Sequence, residues 1–358
     1  MYTDISTLCV TWGTNIRDAI AQMDVYGIGI VLVVDQERRL QGTITDGDVR
    51  RAVLADMDLD LPVDTLLARK ASSTNLQPIT APVDADQSTL LQTLQQHSIR
   101  HLPLVDQDHR VAALVTLDEY VPEEELPLQA VIMAGGLGTR LRPLTDQLPK
   151  PMLPVGDRPL MEIIIQQLRD ANIKHVNVAV HHESDKITDH FGDGRDFGVE
   201  IVYVTEDRPL GTAGALGLME SQQETLLVIN GDVLTQIDFR AMVAYHREHG
   251  AGLTVAVHRY DLQVPYGVIE CEGPQVRRLA EKPEFKFLVN AGIYLLEPAA
   301  YNFIPNGQRY DMTDLIQHLL DQGQPVFAFP IREYWMDIGQ HADLQQAQMQ
   351  VKSWKSVQ

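Results

Sequence analysis

A short apolar run that stops at a glycine-rich turn places the strongest constraint on how this chain folds. The run Ala130–Met133 has the length and composition of a buried parallel strand. Ala134, Gly135 and Gly136 follow it, and residues with little or no side chain let backbone N–H groups approach a charged ligand closely. The segment therefore predicts a strand-to-loop turn that can hold phosphate oxygens.

Cationic side chains follow these glycines. After Gly138 and Thr139 come Arg140 and Arg142, whose guanidinium groups can bind phosphate oxygens through two hydrogen bonds at once. Lys150 lies between two prolines, which restrict the backbone on either side of it. The spacing matches neither the G-x-G-x-x-G fingerprint nor the P-loop pattern. The segment predicts a site for a nucleoside triphosphate.

This pattern resembles the signature of the sugar nucleotidyltransferases, enzymes that join a sugar 1-phosphate to a nucleoside triphosphate and release pyrophosphate. The resemblance extends over residues 128–345 through five motifs in the family's order. Such a reaction needs no general base, because a phosphate monoester with a second pKa near about 6 is already largely dianionic at neutral pH. The resemblance implies two catalytic cations, Arg140 and Lys150, and a nucleotide-binding set made of Ala134, Gly135, Gly136, Gly138 and Thr139.

Two aspartates are implied as metal ligands. Asp232 follows the apolar run Leu227–Ile229, and Asp337 lies in the segment Tyr334–Gly339. They resemble the pair by which the family holds Mg²⁺ against the nucleotide phosphates. Mg²⁺ usually takes one or two carboxylates and completes its shell with phosphate and water. Mg²⁺ is therefore the expected cofactor.

Two further motifs resemble the family's sugar-phosphate site. In Leu279–Pro283, the resemblance assigns Lys282 to the phosphate and Glu281 to the sugar hydroxyls. Asn290 and Gly292 match the segment that meets the sugar ring, where a glycine leaves room for it. These four residues are the expected contacts to the sugar 1-phosphate.

The segment Tyr203–Ala215 resembles the family's nucleobase site, in which Glu206, Gly211 and Thr212 are the expected contacts. The two oxygens of the Glu206 carboxylate suit the adjacent N1–H and N2–H₂ donors of guanine, whereas thymine and uracil present one donor between two acceptors. GTP is the favoured nucleotide on this ground. Backbone groups of Gly135 and Gly211 are the alternative readers of the base.

Histidines offer a competing metal site. His181 and His182 follow a predicted strand, and His246 and His249 lie three positions apart in a predicted helix. No cysteine or third histidine completes a zinc set in the sequence, so surface or pocket-wall roles are expected for all four.

Apolar runs alternate with helix-length segments through the second part of the chain. The predicted strands are Val176–Val180, Ile201–Val204, Leu226–Ile229, Leu253–Val257 and Ala291–Leu296, and the clearest helices are Pro159–Ala171 and Ile237–His249. This alternation predicts an α/β fold with a Rossmann-like, doubly wound mixed sheet, whose ligands bind outside the carboxyl ends of the strands. The catalytic domain is placed at residues 130–350.

An internal repeat precedes that domain. Val33–Asp35 and Leu104–Asp106 match at an offset of 71 residues, as do Thr45–Asp48 and Thr116–Glu119. An amphipathic helix precedes each pair, so each copy predicts helix, strand, strand, helix. This order resembles a tandem pair of CBS domains, placed at 1–62 and 63–122, and an acidic linker follows at 123–129.

The CBS resemblance implies a regulatory site for an adenine or guanine nucleotide. Asp48, beside Thr45, matches the aspartate that holds the ribose hydroxyls in that family. The second copy keeps Thr116 but has Glu119 in place of the aspartate, and this longer side chain distinguishes it from the first. Many such pairs only dimerise, and dimerisation is the alternative role.

Composition limits the partners. The 358-residue chain carries 49 acidic and 29 basic residues, and a net charge of −20 argues against a nucleic-acid partner. No apolar stretch approaches the length of a membrane-spanning helix. The two cysteines lie far apart, which fits a reducing cytoplasm. Both kinds of domain self-associate in their families, so a homodimer or homotetramer is expected.

The domain order and Glu206 together resemble the glucosamine-1-phosphate guanylyltransferases of legionaminic acid pathways. The expected reaction is transfer of GMP from GTP to glucosamine 1-phosphate. Mannose 1-phosphate as acceptor, or UTP, dTTP or CTP as donor, are the alternatives within the class. A non-catalytic nucleotide-sugar sensor or regulatory subunit is the alternative outside it. The presence of every implied charged residue, Arg140, Lys150, Asp232, Lys282 and Asp337, favours an enzyme.

Overall fold

In a computed structural model, the chain divides into two compact units, Met1–Glu124 (unit 1) and Glu125–Gln358 (unit 2). The structure describes residues 1–70, 77–97, 99–120, 125–136, 138–181, 184–219 and 223–355. His182 and the first two residues of the predicted linker lie outside these ranges. No helix in the described ranges is long and apolar enough to cross a membrane.

Unit 1 contains two similar halves, each with a three-stranded sheet. Its elements are β1 Cys9–Thr11, α1 Ile16–Tyr26, β2 Ile30–Val34, β3 Leu40–Thr45, α2 Asp46–Leu54, α3 Val63–Lys70, β4 Ala81–Pro82, α4 Gln87–Gln96, β5 His101–Val105 and β6 Val111–Thr116. The elements α4, β5 and β6 each begin 71 residues after α1, β2 and β3. The repeat in the sequence is therefore a repeat in the structure.

The two halves end differently. In the first half, the side chains of Thr45 and Asp48 form a capping box at the start of α2. In the second half, Thr116 makes no capping hydrogen bond to the backbone, and a single 3₁₀ turn, Leu117–Glu119, follows β6. The final helix predicted for the second copy is therefore wrong for the described residues, because its first turn lacks the cap that stabilises α2.

Unit 2 is built on a seven-stranded mixed sheet. Its elements are β7 Leu128–Met133, β8 Pro154–Val155, β9 Arg158–Pro159, α5 Leu160–Asp170, β10 His175–Val180, α6 Ser184–Phe191, β11 Glu200–Thr205, α7 Gly211–Gly214, β12 Thr225–Asn230, β13 Val233–Thr235, α8 Phe239–Glu248, β14 Leu253–Gln263, β15 Val268–Glu272, β16 Gln275–Ala280, β17 Glu284–Leu296, α9 Pro298–Tyr301, α10 Met312–Asp321, β18 Val326–Ile331, β19 Trp335–Asp337 and α11 His341–Lys355.

The strand order of the large sheet is β11-β10-β7-β12-β17-β14-β18. The first four strands are parallel, and β17 runs antiparallel to both of its neighbours. Ala130, Val131 and Ile132 of β7 are fully buried, which explains why this central strand is apolar without alternation. The expected α/β fold with a mixed sheet is confirmed.

The strand predicted at Leu253–Val257 continues further. β14 extends to Gln263, and β17 begins at Glu284, well before the predicted start at Ala291. Because β18 pairs only with Leu253–His258, the rest of β14 pairs with β17 alone. The extensions were not predicted because the prediction used continuous apolar runs. Their apolar and polar residues alternate instead, which is also a strand pattern.

Candidate active site

The glycine-rich turn begins at the carboxyl end of β7. The N–H of Ala134 donates to Ala179 O at 2.8 Å, which continues the pairing towards β10. A Cβ on Gly135 would lie 2.9 Å from Glu206 Oε1, whereas a Cβ on Gly136 would meet no atom within 4 Å. Gly135 is therefore a packing position, and Gly136 faces open space in which a ligand can approach the backbone.

The turn then leads to the cations. Gly138 has φ 59°, and a Cβ there would lie 2.8 Å from Thr145 Cγ2 and 3.2 Å from Lys150 Cβ. Only a glycine fits that backbone conformation and that space without strain. Thr139 and Arg140 belong to the following 3₁₀ turn and are exposed. Gly138 thus brings the turn against the base of Lys150.

Two distant segments of the chain bring the aspartates together. β13 and β19 pair antiparallel, with Val233 opposite Asp337. The N–H of Ile338 also donates to Asp232 O at 3.0 Å. A Cβ on Gly231 would lie 2.7 Å from Met133 O, so this glycine lets Asp232 approach the end of β7. Both aspartates therefore lie beside the glycine-rich turn.

Lys150 joins these two carboxylates. Its Nζ lies 2.5 Å from Asp232 Oδ2 and 3.9 Å from Asp337 Oδ1. The lysine is 8% exposed, whereas the Asp337 side chain is 49% exposed. The ammonium is thus fixed within the protein, and the carboxylates provide the more accessible side of the cluster.

Arg140 lies at the border of the same cluster. A Cβ on Gly339 would be 3.6 Å from both Arg140 Nη1 and Asp337 Oδ2, so the guanidinium and the carboxylate both lie next to this glycine. Burial and the neighbouring Asp232 carboxylate raise the pKa of Asp337, and Lys150 and Arg140 offset this only partly. A further cation beside the two aspartates would therefore stabilise their ionised form.

The negative charge of Asp232 and Asp337 suits a divalent cation such as Mg²⁺. In the part of the chain that the structure describes, no group of three or more His, Cys, Asp or Glu side chains is arranged to hold a metal ion. The pair Asp232 and Asp337 offers hard oxygen donors, and a nucleotide polyphosphate would supply the rest of an octahedral shell. The donor set suits a metal that arrives with its substrate.

The predicted nucleobase segment contacts the glycine-rich turn. Glu206 is 6% exposed, and its Oε2 accepts a hydrogen bond from the Leu210 N–H at 2.9 Å. Its Oε1 faces Gly135, and burial raises the pKa of the carboxyl group. The ring of His181 contacts Glu206 O at 2.9 Å. Glu206 therefore organises its own loop as well as offering an oxygen towards the turn.

Gly211 and Thr212 are positioned by Asp311, a residue that was not predicted. Asp311 Oδ1 accepts from the Thr212 N–H at 2.9 Å, and the Met312 N–H donates to Thr212 Oγ1 at 2.9 Å. Gly211 has φ 83°, and a Cβ there would lie 2.5 Å from the same carboxylate oxygen. The polar groups of Thr212 are thus engaged within the protein. The capping-box spacing of Asp311 and Asp314 is the signal that could have identified this connection.

The segment predicted to contact the sugar, residues 290–292, packs against the strand that precedes Asp232 and the strand that contains Asp337. Asn290 Oδ1 accepts from the Gly292 N–H at 3.0 Å, and Trp335 Nε1 donates to Ala291 O at 2.9 Å. Gly292 has φ 72°, and a Cβ there would lie 2.6 Å from Asn230 Nδ2. Asn230 and Trp335, which precede the two aspartates by two residues, were not predicted. They connect the segment of Asn290 and Gly292 to the segments that carry Asp232 and Asp337.

Glu281 and Lys282 are exposed residues at the end of β16. Lys282 has φ 46°. Its N–H donates to Tyr266 O at 3.3 Å, and a Cβ on Gly267 would lie 3.0 Å from Glu281 Oε2. Among the described residues, no ion pair joins Lys282 to Asp232 or Asp337, which both pair with Lys150.

The histidines have structural partners. His246 is buried, with one ring nitrogen 2.7 Å from Thr254 Oγ1 and the other 3.0 Å from Glu297 Oε1. His249 stacks on Tyr245 with ring centroids 4.0 Å apart. These contacts account for both side chains without a metal.

In unit 1, Asp48 is the centre of a charged network. Its Oδ2 accepts from Thr45 N, Thr45 Oγ1 and Lys70 Nζ, each at 2.9 Å, and its Oδ1 accepts from Arg51 Nη2 at 2.7 Å. Burial opposes ionisation, but Lys70 and the other donors outweigh it and lower the pKa of Asp48. In the second half, Glu119 accepts from Thr116 Oγ1 at 3.3 Å and pairs with the amino terminus of Met1.

Unit 2 thus carries a glycine turn, a buried lysine and an aspartate pair at the strand ends of one mixed α/β sheet. The chain belongs to the nucleotidyl transferase family, whose model matches residues 129–353. The CBS domain model matches residues 8–55 and 73–121.

Curated relatives agree with this assignment. A UTP–glucose-1-phosphate uridylyltransferase of Synechocystis is 35% identical over 241 residues, which is 62% of each chain. The catalytic subunit beta of a mannose-1-phosphate guanylyltransferase of Xenopus tropicalis is 33% identical over 225 residues, which is 60% of this chain and 62% of its own. The chain thus matches 62% of the length of each relative.

A crystal structure from Bacillus anthracis, assigned to a glucose-1-phosphate thymidylyltransferase, superposes with a TM-score of 0.53 at 26% identity. The match covers 63% of this chain and 95% of that one. The three proteins are named for different nucleotides, so the family as a whole does not specify one base.

Proposed function

We propose that the protein transfers a nucleotidyl group from a nucleoside triphosphate to a sugar 1-phosphate and releases pyrophosphate. The observation that carries the proposal is the cluster in which Lys150 lies within 2.5 Å of Asp232 and 3.9 Å of Asp337, beside the glycine turn. One fixed cation and two accessible carboxylates suit a substrate that brings both negative charge and a divalent metal.

In this mechanism, Mg²⁺ bound by Asp232 and Asp337 would neutralise part of the negative charge on the phosphates. The open backbone at Gly136 offers N–H groups to phosphate oxygens. Arg140 and Lys150 balance the charge that moves to the leaving pyrophosphate as the sugar phosphate oxygen attacks in line. Because the attacking oxygen is already ionised, orientation and charge neutralisation account for the catalysis.

We propose GTP as the nucleotide. Glu206 Oε1 faces the turn from a buried position, and its carboxylate can accept from the N1–H and N2–H₂ groups of guanine. The relative named as a mannose-1-phosphate guanylyltransferase supports the same choice. UTP and dTTP are the alternatives, since other similar proteins are named for uridylyl and thymidylyl transfer.

We propose glucosamine 1-phosphate as the acceptor, with Lys282 on its phosphate and Glu281, Asn290 and Gly292 beside the sugar. Mannose 1-phosphate is the second candidate, supported by the relatives that are named for it. The deciding experiment measures pyrophosphate release for four triphosphates against the 1-phosphates of glucosamine, N-acetylglucosamine, mannose and glucose. Release with none of these pairs would contradict the catalytic proposal, and tight nucleotide-sugar binding would then favour a non-catalytic sensor.

We further propose that unit 1 binds a regulatory nucleotide at Thr45 and Asp48. Lys70 and Arg51 place an ammonium and a guanidinium beside this carboxylate, with 28% and 53% of their side chains exposed. A nucleotide offers ribose hydroxyls for the carboxylate and phosphates for the cations. The longer side chain of Glu119, which accepts from Thr116 Oγ1, favours the first half over the second.

A further inference from the structure

Unit 2 exposes an unusual number of large apolar side chains in one segment. Nine of them lie within residues 260–288, each 42–74% exposed: Tyr260, Leu262, Tyr266, Ile269, Val276, Leu279, Phe285, Phe287 and Leu288. Exposed apolar residues that are scattered singly are ordinary, but a contiguous patch above a few hundred Å² marks an interaction site. Residues 259–288, called the arm below, form two antiparallel ribbons.

The first ribbon of the arm has one apolar face. Tyr260 is directly opposite Phe287, and Leu262 is directly opposite Phe285, in the pairing of β14 with β17. Directly opposed residues in an antiparallel pair lie on the same face, so these four side chains form one surface. The other face carries Arg259, Asp261 and Lys286 together with Leu288, which is opposite Arg259. Arg259 pairs with Asp261 at 2.9 Å.

The second ribbon repeats this arrangement. Ile269 is opposite Leu279, and Cys271 is opposite Val276, in the pairing of β15 with β16. The alternate positions carry ion pairs, Glu272 with Arg277 at 2.7 Å and Glu270 with Arg278 at 3.3 Å. Each ribbon therefore has one apolar face, and three ion pairs lie within the arm.

The charge of the arm differs from that of the chain. Residues 259–288 contain five basic and five acidic side chains, while the whole protein has a net charge of −20. Two copies of so acidic a protein repel each other over most of their surfaces. The neutral arm is a surface where two copies can approach without that repulsion.

We propose that the arm is the self-association surface of this protein, covered in solution by the arm of a second copy. Seven of the nine side chains lie on the apolar faces of the two ribbons. At roughly 100 Å² each they amount to on the order of 700 Å², against about 800 Å² per partner in a stable interface. The residues Arg259–Gln263 also form an unpaired strand edge without the proline or bulge that usually blocks edge pairing. A self-complementary patch with a free edge suits a two-fold contact.

The test measures the mass of the full-length protein by light scattering and its dissociation constant by sedimentation. Val276→Glu places a charge on the apolar face, and Val202→Glu is its matched control, since Val202 is a strand valine of β11 with 61% exposure against 57% for Val276. Val276→Glu and Phe287→Glu should each weaken association about 100-fold or more, and Val202→Glu should leave it unchanged. A monomeric wild-type protein, or equal masses for all variants, would overturn the proposal.

A second measurement needs no destabilising change. Cys271 is exposed on the apolar face of the second ribbon. In a Cys9→Ser background, its thiol should react with a maleimide about 10-fold more slowly at concentrations where the protein is associated, because the interface excludes the reagent. An equal rate above and below the dissociation constant would show that another surface, such as one on unit 1, mediates association.

Discussion

The ammonium of Lys150 lies 2.5 Å from Asp232 Oδ2 and 3.9 Å from Asp337 Oδ1, while its own side chain is almost fully buried. One cation therefore balances two carboxylates that belong to segments more than one hundred residues apart. In a partly buried position, removal of the lysine would leave two neighbouring carboxylates without their cation.

Replacing Lys150 with methionine should lower turnover by about 100-fold or more, because a fixed charge stabiliser is removed. Thermal stabilisation by Mg²⁺ should increase in the same variant, since the metal becomes the main cation between Asp232 and Asp337. Turnover is measured by pyrophosphate release and stability by calorimetry with and without Mg²⁺. Lys174→Met, at a half-exposed lysine beside Glu125, is the control. Near-normal turnover in Lys150→Met would contradict the assignment.

Asp337→Asn should separate stability from activity. The pKa of Asp337 is raised above the ordinary 3.8, so the folded protein holds this proton more tightly than the unfolded chain does. Its ionisation therefore lowers stability as pH rises from 3.8 to the folded pKa. At neutral pH the asparagine variant should melt at the same temperature as wild type or higher in EDTA, and should lose the Mg²⁺-dependent increase and the activity. A clearly lower melting temperature in EDTA would show that this interpretation is wrong.

Alanine substitutions at Gly135 and Gly136 of the glycine-rich turn should have different effects. Gly135→Ala places a Cβ 2.9 Å from Glu206 Oε1 and should lower thermal stability, while Gly136→Ala meets no protein atom and should not. Both should raise KM for the triphosphate, Gly136→Ala because its methyl group occupies the space left for the ligand. Calorimetry and initial rates distinguish these effects. Unchanged KM in Gly136→Ala would place the phosphates elsewhere.

Glu206→Gln should change the choice of base. The amide keeps an oxygen for the Leu210 N–H but cannot present two acceptors to guanine, so the ratio of kcat/KM for GTP to that for UTP should fall about tenfold or more. KM for the sugar 1-phosphate, measured at saturating nucleotide, serves as the internal control. An unchanged ratio would leave backbone groups near Gly135 and Gly211 as the readers of the base.

Asp48→Ala should weaken unit 1 and remove its nucleotide site together. The loss should be about 2 kcal/mol, since Lys70 and Arg51 keep access to water. Because the pKa of Asp48 is lowered, its contribution is complete above 3.8 and disappears as pH falls through the lower folded value. Hydrogen exchange in α2 and α3 measures the stability. Titration calorimetry with AMP should show binding to wild type and to Glu119→Ala but not to Asp48→Ala. A flat trace for the wild type would contradict the proposed regulatory site.

Much of the fold could be read from local patterns. The buried strand β7 and the repeat of 71 residues were predictable, because an apolar run and a repeated spacing are both present in the order of the residues, without any knowledge of contacts. The arm was not, since alternation with charged residues in β15 and β16 gives no sign of burial. Its apolar face exists only because the cross-strand pairing places Tyr260 opposite Phe287.

For the candidate site, the sequence by itself determined the chemical groups: a glycine turn, two cations and two carboxylates of the types that phosphate and Mg²⁺ require. The tertiary structure alone decided which of them meet. It pairs β13 with β19 so that Asp232 and Asp337 face Lys150, and it engages Thr212 with Asp311, a partner about one hundred residues away. The physical reason is that side-chain chemistry is local, whereas ion pairs and hydrogen bonds depend on distances that only the packed sheet fixes.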